Sequence, residues 1–278
     1  MKKKTWLVTG ASKGLGLSLV KTLLNEGYSV AATSRKLDEL QKAVGANSNQ
    51  FLPLEVSLTD EKNVSKAIDA TVKKFGSIDV IVNNAGYGLL GAVEELSDGE
   101  SRANFDVNVF GSLNVIRQAL PQLRKQKSGH IFNITSIGGF SGAFPGFGIY
   151  CATKFAVHGF SESLAEEVKP FGIKVTIVSP GYFRTNFLES SSLAVPANEI
   201  KEYQNVRDSQ MTHQQNYNGN QPGNPDKASE VMIKVAESND VVLHLFLGKD
   251  AYGIAEAKIK AVEKDMEAVR VMATATDF

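Results

Sequence analysis

Short apolar segments alternate with longer segments of helical character from residue 5 to about residue 250. This alternation is typical of repeated β-α-β units, and continuous apolar runs such as Val80-Ile81-Val82 are typical of strands buried on both faces of a parallel sheet. Because β-α-β crossovers are right-handed, helices should cover both faces. The sequence therefore predicts an α/β fold: a single domain over residues 1–278, doubly wound around a parallel sheet of about seven strands, with a lid and a C-terminal helix. The predicted strands are 5–9, 29–33, 50–55, 79–83, 130–135, 174–179 and 241–247, and the last helix is 251–272.

The charge of the chain is balanced, since 30 Lys and Arg residues face 30 Asp and Glu residues. A protein without net charge has no general electrostatic attraction for nucleic acid or an anionic membrane. We therefore expect small-molecule partners, no nucleic acid and no membrane. The single cysteine, Cys151, excludes an internal disulfide, which favours a reducing, cytoplasmic location.

A glycine-rich segment follows the first predicted strand and leads into an apolar helix. It reads Thr9-Gly10-Ala11-Ser12-Lys13-Gly14-Leu15-Gly16. Glycines remove the β-carbons that would block a tight turn, and the backbone N–H groups at a helix start point at an anion with the helix dipole behind them. The segment indicates a site for the pyrophosphate of a dinucleotide, although a purely structural turn is the alternative for any single glycine loop.

The spacing of these glycines, three residues and then one, resembles that of the short-chain dehydrogenases/reductases. Further motifs of that family follow in order, over residues 5 to about 185: Asn83-Asn84-Ala85-Gly86, Asn108, Ser136, Tyr150 with Lys154, and Pro180-Gly181. The resemblance implies an NAD(P)-binding Rossmann domain. It also implies an oxidoreductase of the carbonyl reductase or ketoreductase type, which interconverts a ketone or aldehyde and an alcohol.

Tyr150 and Lys154 are four residues apart on a predicted helix, so their side chains share a face. A nearby ammonium lowers the pKa of a phenol, which lets Tyr150 act as general acid and base. Ser136 should hydrogen-bond the substrate oxygen. By the resemblance, Lys154 also holds the nicotinamide ribose, and Asn108 holds a water that links Lys154 to solvent. Taken singly, each residue also fits a structural role, as a surface pair, a cap or a turn.

The end of the second predicted strand favours NADP(H), with NAD(H) as the alternative. NAD-preferring folds usually place an acid there, whereas this strand ends in Ser34-Arg35. Arg35, Ser34 and Lys13 can bind a 2′-phosphate, unless Lys13 and Arg35 are ordinary solvated charges. Glu55 stands where the family usually has aspartate or asparagine near the adenine. The complete predicted cofactor site is Gly10, Ser12, Lys13, Gly14, Leu15, Gly16, Ser34, Arg35, Glu55, Val56, Asn84, Ala85, Gly86, Tyr150, Lys154, Pro180, Gly181, Phe183 and Thr185.

The resemblance places the substrate between the loops after the fourth to sixth strands and a variable lid, here residues 186–222. Apolar side chains predominate in these loops, which favours a lipophilic or aromatic substrate unless they merely pack the lid. Residues 210–226 are polar and turn-rich, which predicts a loop or a flexible lid. The apolar residues are Tyr87, Leu89, Leu90, Phe140, Phe144, Phe147, Tyr182, Phe183, Phe187 and Leu188.

The remaining reactive side chains are interpreted as structural. His213 and His244 have no cysteine or carboxylate at metal-ligand spacing, and we assign His130 and His158 the same structural role, so no metal site is expected. Cys151 is expected to be a buried, inert thiol. The alternatives to an oxidoreductase are a catalytically silent cofactor-binding protein and an epimerase or dehydratase on the same scaffold. The resemblance also implies a homo-oligomer, a dimer or tetramer.

Overall fold

A seven-stranded parallel sheet forms the centre of the protein in a computed structural model, which describes residues 3–46 and 48–278. The strands are β1 (Thr5–Val8), β2 (Ser29–Ser34), β3 (Phe51–Glu55), β4 (Val80–Asn83), β5 (Gly88–Leu89), β6 (Gly129–Ile134), β7 (Ile173–Pro180), β8 (Leu193–Ala194) and β9 (His244–Leu247). The central order is β3-β2-β1-β4-β6-β7-β9, while β5 and β8 form a separate parallel pair that the sequence did not predict. The predicted doubly wound α/β sheet is confirmed.

The helices are α1 (Gly14–Asn25), α2 (Leu37–Val44), α3 (Glu61–Phe75), α4 (Asp98–Phe105), α5 (Gly111–Gln126), α6 (Gly148–Val168), α7 (Gln204–Met211), α8 (Pro225–Glu237) and α9 (Lys249–Ala273). Successive side chains of a strand point to opposite faces. Trp6 accordingly packs in a core that contains α1 and α8, and Leu7 packs in a second core with α3, α5 and α6. Both faces of the sheet are therefore buried. Among the described residues, no helix is long and apolar enough to cross a membrane.

The chain reverses its direction of winding at β1, whose neighbours are β2 on one side and β4 on the other. The register pairs Val8 with Ala32 of β2 and with Val82 of β4. The segments that leave the carboxyl ends of β1 and β4 thus begin side by side. In open parallel sheets, this reversal opens a crevice in which ligands bind.

The predicted lid, residues 186–222, contains regular structure. It includes a 3₁₀ turn at Asn186–Leu188, strand β8, helix α7 and a π-helical turn at Thr212–Tyr217. The prediction of a loop over residues 210–226 is wrong except for residues 218–224, because helix extends to Tyr217 and α8 begins at Pro225. Burial of Val206 and His213 against the body of the protein outweighs the weak helix preference of this polar stretch.

A buried ion pair fastens the lid to the body. The fully buried carboxylate of Glu95 accepts hydrogen bonds from the backbone N–H groups of Ala92 (2.7 Å) and Ile200 (2.8 Å) and from Arg207 Nη2 (2.6 Å). Burial alone would raise the pKa of Glu95, but these donors outweigh it and hold the pKa below its usual range. The carboxylate is therefore charged at neutral pH and needs Arg207 beside it.

We predict that Arg207→Met loosens the lid, because it leaves the Glu95 charge buried without its cation. Hydrogen exchange of backbone amides in residues 200–217 should accelerate by more than about tenfold, a loss of about 1.4 kcal/mol or more, while β1 and β4 keep their protection. Arg102→Met is the matched control, since Arg102 pairs with Asp98 on the exposed surface. Unchanged protection of residues 200–217 in Arg207→Met would show that the ion pair does not hold the lid.

His130 is a buried side chain of β6 that the sequence analysis interpreted as structural. Its Nε2 lies 2.8 Å from Thr176 Oγ1, and the Thr176 hydroxyl donates to the carbonyl of Val242 (2.6 Å). Because the Thr176 hydrogen is used in that bond, Nε2 of His130 carries the donated hydrogen. Burial, helped by Lys174 and Lys4, lowers the pKa of His130 to about 3.

We predict that this histidine makes the protein less stable in mild acid. Its pKa is lower in the folded protein than the unfolded value of about 6.5, so the unfolded chain binds the proton first as pH falls. Below pH 6.5 the free energy of unfolding should drop by about 1.4 kcal/mol per pH unit from this group. Urea denaturation at pH 7.5 and 5.5 measures the drop. His130→Gln keeps a donor for Thr176 and should lose less stability; equal losses in both proteins would contradict the assignment.

Candidate active site

The glycines after β1 are required by a close approach of two segments of chain. Gly10 and Gly14 have φ angles of +63° and +61°. A β-carbon on Gly10 would lie 2.7 Å from Cα of Ala85, and one on Gly16 would collide with the side-chain amide of Asn84. The loop after β1 therefore lies directly against the segment that follows β4.

Hydrogen bonds fix this contact. Thr9 Oγ1 accepts the backbone N–H groups of Asn84 (3.0 Å) and Ala85 (3.1 Å), and the Asn84 amide donates to the carbonyls of Thr9 and Gly10 (2.9 Å each). Thr9 was not among the predicted site residues. Its position at the end of an apolar strand did not distinguish it from any other strand-ending threonine.

A cavity of about 740 Å³ opens beside this contact, at the carboxyl ends of the strands. All predicted catalytic and cofactor residues line it except Gly16, Glu55 and Asn108. Gly16 packs behind the loop against Asn84. Glu55 is exposed and accepts the backbone N–H of Leu37 (3.4 Å), whereas Val56 lines the cavity. The prediction that Glu55 contacts the adenine is therefore not supported by its position.

Tyr150, Ser136 and Lys154 meet at the far end of the cavity. The turn Ile137–Gly139 packs so closely on α6 that a β-carbon on Gly139 would lie 2.8 Å from the Lys154 carbonyl oxygen. Gly138 N–H donates to Ser136 Oγ (3.0 Å), and the Ser136 side chain hydrogen-bonds the Tyr150 phenol. Since Oγ accepts from Gly138, the Ser136 hydroxyl donates to the phenol oxygen, and a hydrogen bond in this direction lowers the pKa of Tyr150.

Burial dominates the acidity of both Tyr150 and Lys154. It raises the pKa of Tyr150, with Ser136 acting in the opposite direction, and it lowers the pKa of Lys154 to about 8. Lys154 Nζ lies 5.8 Å from the centre of the Tyr150 ring and donates to the carbonyl of Ile134 (2.9 Å). Loss of solvation is the largest cause of the raised pKa of Tyr150, and lowering of that pKa by Lys154 stays a prediction.

Asn108 lies behind the cavity, in the π-helical turn Asp106–Phe110 between α4 and α5. Its amide donates to the carbonyl of Tyr87 and to Thr153 Oγ1, both at 3.0 Å, and its Oδ1 accepts the Tyr87 N–H, also at 3.0 Å. A β-carbon on Gly86 would lie 2.9 Å from Asn108 Oδ1 and 3.4 Å from Lys154 Nζ. Asn108 therefore joins the segment after β4 to α6, next to the Lys154 ammonium.

Positive charge concentrates at the other end of the cavity, where Lys13, Ser34 and Arg35 lie. Lys13 Nζ donates to the carbonyl of Ser191 in the lid (2.7 Å). Burial and then the charge of Arg35 lower the pKa of Lys13. The two cations thus lie close enough to repel each other, and an anion between them would relieve that repulsion.

The lid adds a histidine to the cavity that sequence reasoning did not place there. His213 Nδ1 bonds the carbonyl of Ser209 (2.7 Å), so its Nε2 accepts the Tyr182 hydroxyl (2.9 Å). Phe147 packs on the same ring, with centroids 4.9 Å apart. Burial lowers the pKa of His213, which keeps the ring neutral. Tyr182 and His213 are 31 positions apart in the chain, so no local sequence spacing could have indicated their contact.

The part of the cavity beside Tyr150 is apolar. Leu89, Leu90 and Phe140 pack in the interior away from the cavity, but the other predicted apolar residues line it. Cys151 also faces the cavity, and burial raises the pKa of its thiol to about 11. A thiol with this pKa is protonated at neutral pH, as expected for an inert cysteine.

Comparison with known proteins places this arrangement in a family. Residues 4–195 match the family model described as short chain dehydrogenase. The chain belongs to the short-chain dehydrogenase family. It is 37% identical to oxidoreductase BOA17 of Botryotinia fuckeliana over 98% of this chain and 99% of that protein. It is 38% identical to 3-ketodihydrosphingosine reductase of Bacteroides thetaiotaomicron over 73% and 72% of the two chains.

Solved short-chain dehydrogenases share the fold. A short-chain dehydrogenase from Streptomyces avermitilis is 34% identical and superposes with a TM-score of 0.90, over 99% of this chain and 100% of that one. ElxO, solved with NADP bound, is 28% identical with a TM-score of 0.71, over 88% and 97% of the chains. The protein is thus an oxidoreductase of a family that uses nicotinamide cofactors.

We predict that Gly10→Ala destabilises the protein far more than Gly76→Ala. Both glycines have positive φ, but only a β-carbon on Gly10 meets other atoms. Backbone strain should cost both variants about 1 kcal/mol, and the contact with Ala85 should add about 1–3 kcal/mol in Gly10→Ala. Urea denaturation gives the two free energies of unfolding. Equal losses would mean that the loop after β1 can move away from the segment after β4.

Proposed function

We propose that the protein is an NADP(H)-dependent carbonyl reductase that interconverts a ketone or aldehyde and an alcohol by hydride transfer, with Tyr150 as general acid and base. The main support is the position of the Tyr150 phenol, which is buried beside Ser136 and Lys154 in a cavity that continues to the glycine loop. A catalytically silent cofactor-binding protein would not need this complete set of residues.

In the direction of reduction, the Tyr150 phenol donates its proton to the carbonyl oxygen of the substrate. Ser136 donates its hydroxyl hydrogen to the same oxygen in place of the phenol, which orients the carbonyl and stabilises the developing alkoxide. NADPH would supply the hydride, and the positive charge of the oxidised nicotinamide would favour the phenolate left on Tyr150. Lys154 lies beside the phenol, where its ammonium stabilises the same phenolate and can hold the ribose.

Lys13, Ser34 and Arg35 support NADP(H) over NAD(H). Two mutually repelling cations and a hydroxyl line the end of the cavity where β2 ends, as a 2′-phosphate would require. Glu189 acts on Lys13, and Glu39 acts on both cations, but Glu39 is exposed and paired with Lys36 at 2.6 Å. It therefore leaves Lys13 and Arg35 able to bind an anion.

The substrate is proposed to be lipophilic or aromatic. The cavity beside Tyr150 is lined by Phe144, Phe147, Phe187 and Leu188, which offer contact area without charge. The relative from Bacteroides thetaiotaomicron is named as a reductase of 3-ketodihydrosphingosine, which is a ketone. Residues 186–222 would close over such a substrate as the lid.

A homo-oligomer and a cytoplasmic location complete the proposal. Phe110 and Phe155 are 50% and 43% exposed on the segments that also carry Asn108 and Tyr150. Exposed aromatic side chains of this kind favour burial against a second copy. The free thiol of Cys151 fits a reducing compartment.

We predict that Tyr150→Phe retains cofactor binding and loses turnover by about 100-fold or more, because the ring still packs while the proton donor is gone. Turnover is followed through NADPH absorbance with a panel of hydrophobic ketones, and binding through nicotinamide fluorescence. Tyr252→Phe, at an exposed tyrosine of α9, is the matched control. Activity of Tyr150→Phe within tenfold of the parent would exclude Tyr150 as the proton donor.

Cofactor preference gives a separate prediction. Lys13→Ala combined with Arg35→Ala removes two charge-assisted contacts to a 2′-phosphate, so kcat/KM with NADPH should fall by about 10- to 1,000-fold while kcat/KM with NADH changes little. Lys42→Ala removes an exposed cation of α2 that lies outside the cavity and serves as control. An equal fall with both cofactors in the double variant would rule out the 2′-phosphate role.

A further inference from the structure

His158, Glu162 and His244 form a cluster that residue spacing did not predict. His158 and Glu162 follow Tyr150 and Lys154 along α6 at intervals of four residues, and His244 begins β9, the edge strand of the sheet. None of the three lines the cavity described above. The cluster therefore joins the later part of the catalytic helix to the last strand of the sheet.

The distances within this cluster suit a small cation. Glu162 Oε1 lies 3.3 Å from His158 Nε2 and 3.8 Å from His244 Nε2, and one donor atom from each of the three residues lies within 4.8 Å of the others. Zn²⁺ binds imidazole nitrogen and carboxylate oxygen at about 2.0–2.2 Å, which separates tetrahedral ligands by roughly 3.3–3.6 Å. Small rotations of the exposed His244 and Glu162 side chains bring the three donors to that separation.

The imidazole of His158 is oriented by Glu162. Its Nε2 lies 3.3 Å from Glu162 Oε1, and its Nδ1, like that of His130, has no hydrogen-bond partner among the described residues. The His158 residue is only 8% exposed. Burial lowers its pKa, which keeps the ring in the neutral form that binds metals.

Space for a fourth ligand lies beside the cluster. A second cavity of about 430 Å³ is lined by His158 and Glu162 on one side and by Glu263 of α9 on another. Its remaining lining includes the apolar Phe140 and Ile259 and the cation Lys258 of α9. The cavity has room for a water molecule as the fourth ligand.

We propose that His158, Glu162 and His244 bind one divalent transition-metal ion, and that this ion is Zn²⁺. Two imidazoles and one carboxylate are the donors that Zn²⁺ favours, and two ligands one turn apart on a helix hold it from the same face. The ion cross-links α6 to the edge strand β9 across 86 residues of chain. Because the folded protein alone brings the three donors together, bound Zn²⁺ stabilises the fold.

The test uses the full chain without an affinity tag, stripped of metal with a chelator and then titrated with Zn²⁺ against a chromogenic competitor. We expect one Zn²⁺ per chain and a higher unfolding temperature that EDTA reverses. Binding should weaken in acid, because a protonated imidazole cannot ligate a metal ion.

Three variants separate the site from general surface binding. Glu162→Gln and His244→Gln alter side chains that are 51% and 41% exposed, so both variants should fold. Each should weaken Zn²⁺ binding by more than about 100-fold, since even outer-shell losses cost about 10- to 100-fold. Glu166→Gln, one turn further along α6 and also exposed, should bind as the parent does.

Two results would overturn the proposal. The first is binding of Zn²⁺ that is equal in the parent and all three variants, which would indicate adventitious surface binding. The second is no saturable binding by the stripped parent, in which case the cluster is only a polar contact of Glu162 with the two histidines. Neither result bears on hydride transfer, because the cluster lies outside the cavity that holds Tyr150.

Discussion

The contact between the loop after β1 and the segment after β4 is the constraint on which the site depends. The sheet brings these two segments together because β1 is the strand at which the winding reverses. Thr9, Gly10 and Asn84 then hold them within hydrogen-bond distance. A loop displaced from Ala85 would open the glycine-loop end of the cavity and shift Gly86, beside which Asn108 and Lys154 meet.

Desolvation sets the chemical character of the far end of the cavity. The same burial raises the pKa of Tyr150 and lowers the pKa of Lys154, so both groups are driven toward their neutral forms. A phenol in this state holds its proton firmly until charge develops on a neighbouring oxygen. In the proposed reduction of a carbonyl, such charge would develop on the substrate oxygen beside Ser136 and Tyr150, which would tie proton transfer to the arrival of hydride.

Sequence reasoning was most successful where function depends on residues close together in the chain. The strands, the glycine loop and the Tyr150–Lys154 spacing all depend on residues that are close together in the chain. The structure places each of them in the expected position. Glu55 was assigned to the cofactor by family position, but its carboxylate lies on the exposed side and bonds Leu37. The register that pairs Glu55 with Ser34 does not reveal which way its side chain turns.

Contacts between distant segments were the part that sequence reasoning could not supply. His213 reaches Tyr182 through the fold of the lid, and His244 reaches Glu162 only because β9 joins the edge of the sheet beside α6. The helical lid was missed for the same reason. Its polar residues favour turns locally, and the Glu95–Arg207 pair that anchors it joins residues 112 positions apart.

The π-helical turn at Asp106–Phe110 makes the fold depend on the exact number of residues in this stretch. A π-helical turn contains one residue more than the α-helical turn that it replaces. Deleting one residue there would restore a regular helix and rotate all of α5 by about 100° relative to α4. The apolar face of α5 would leave its core, or Asn108 would leave Tyr87 and Thr153. An insertion or deletion within these five positions therefore changes which face of α5 packs against the core, whatever residues are present.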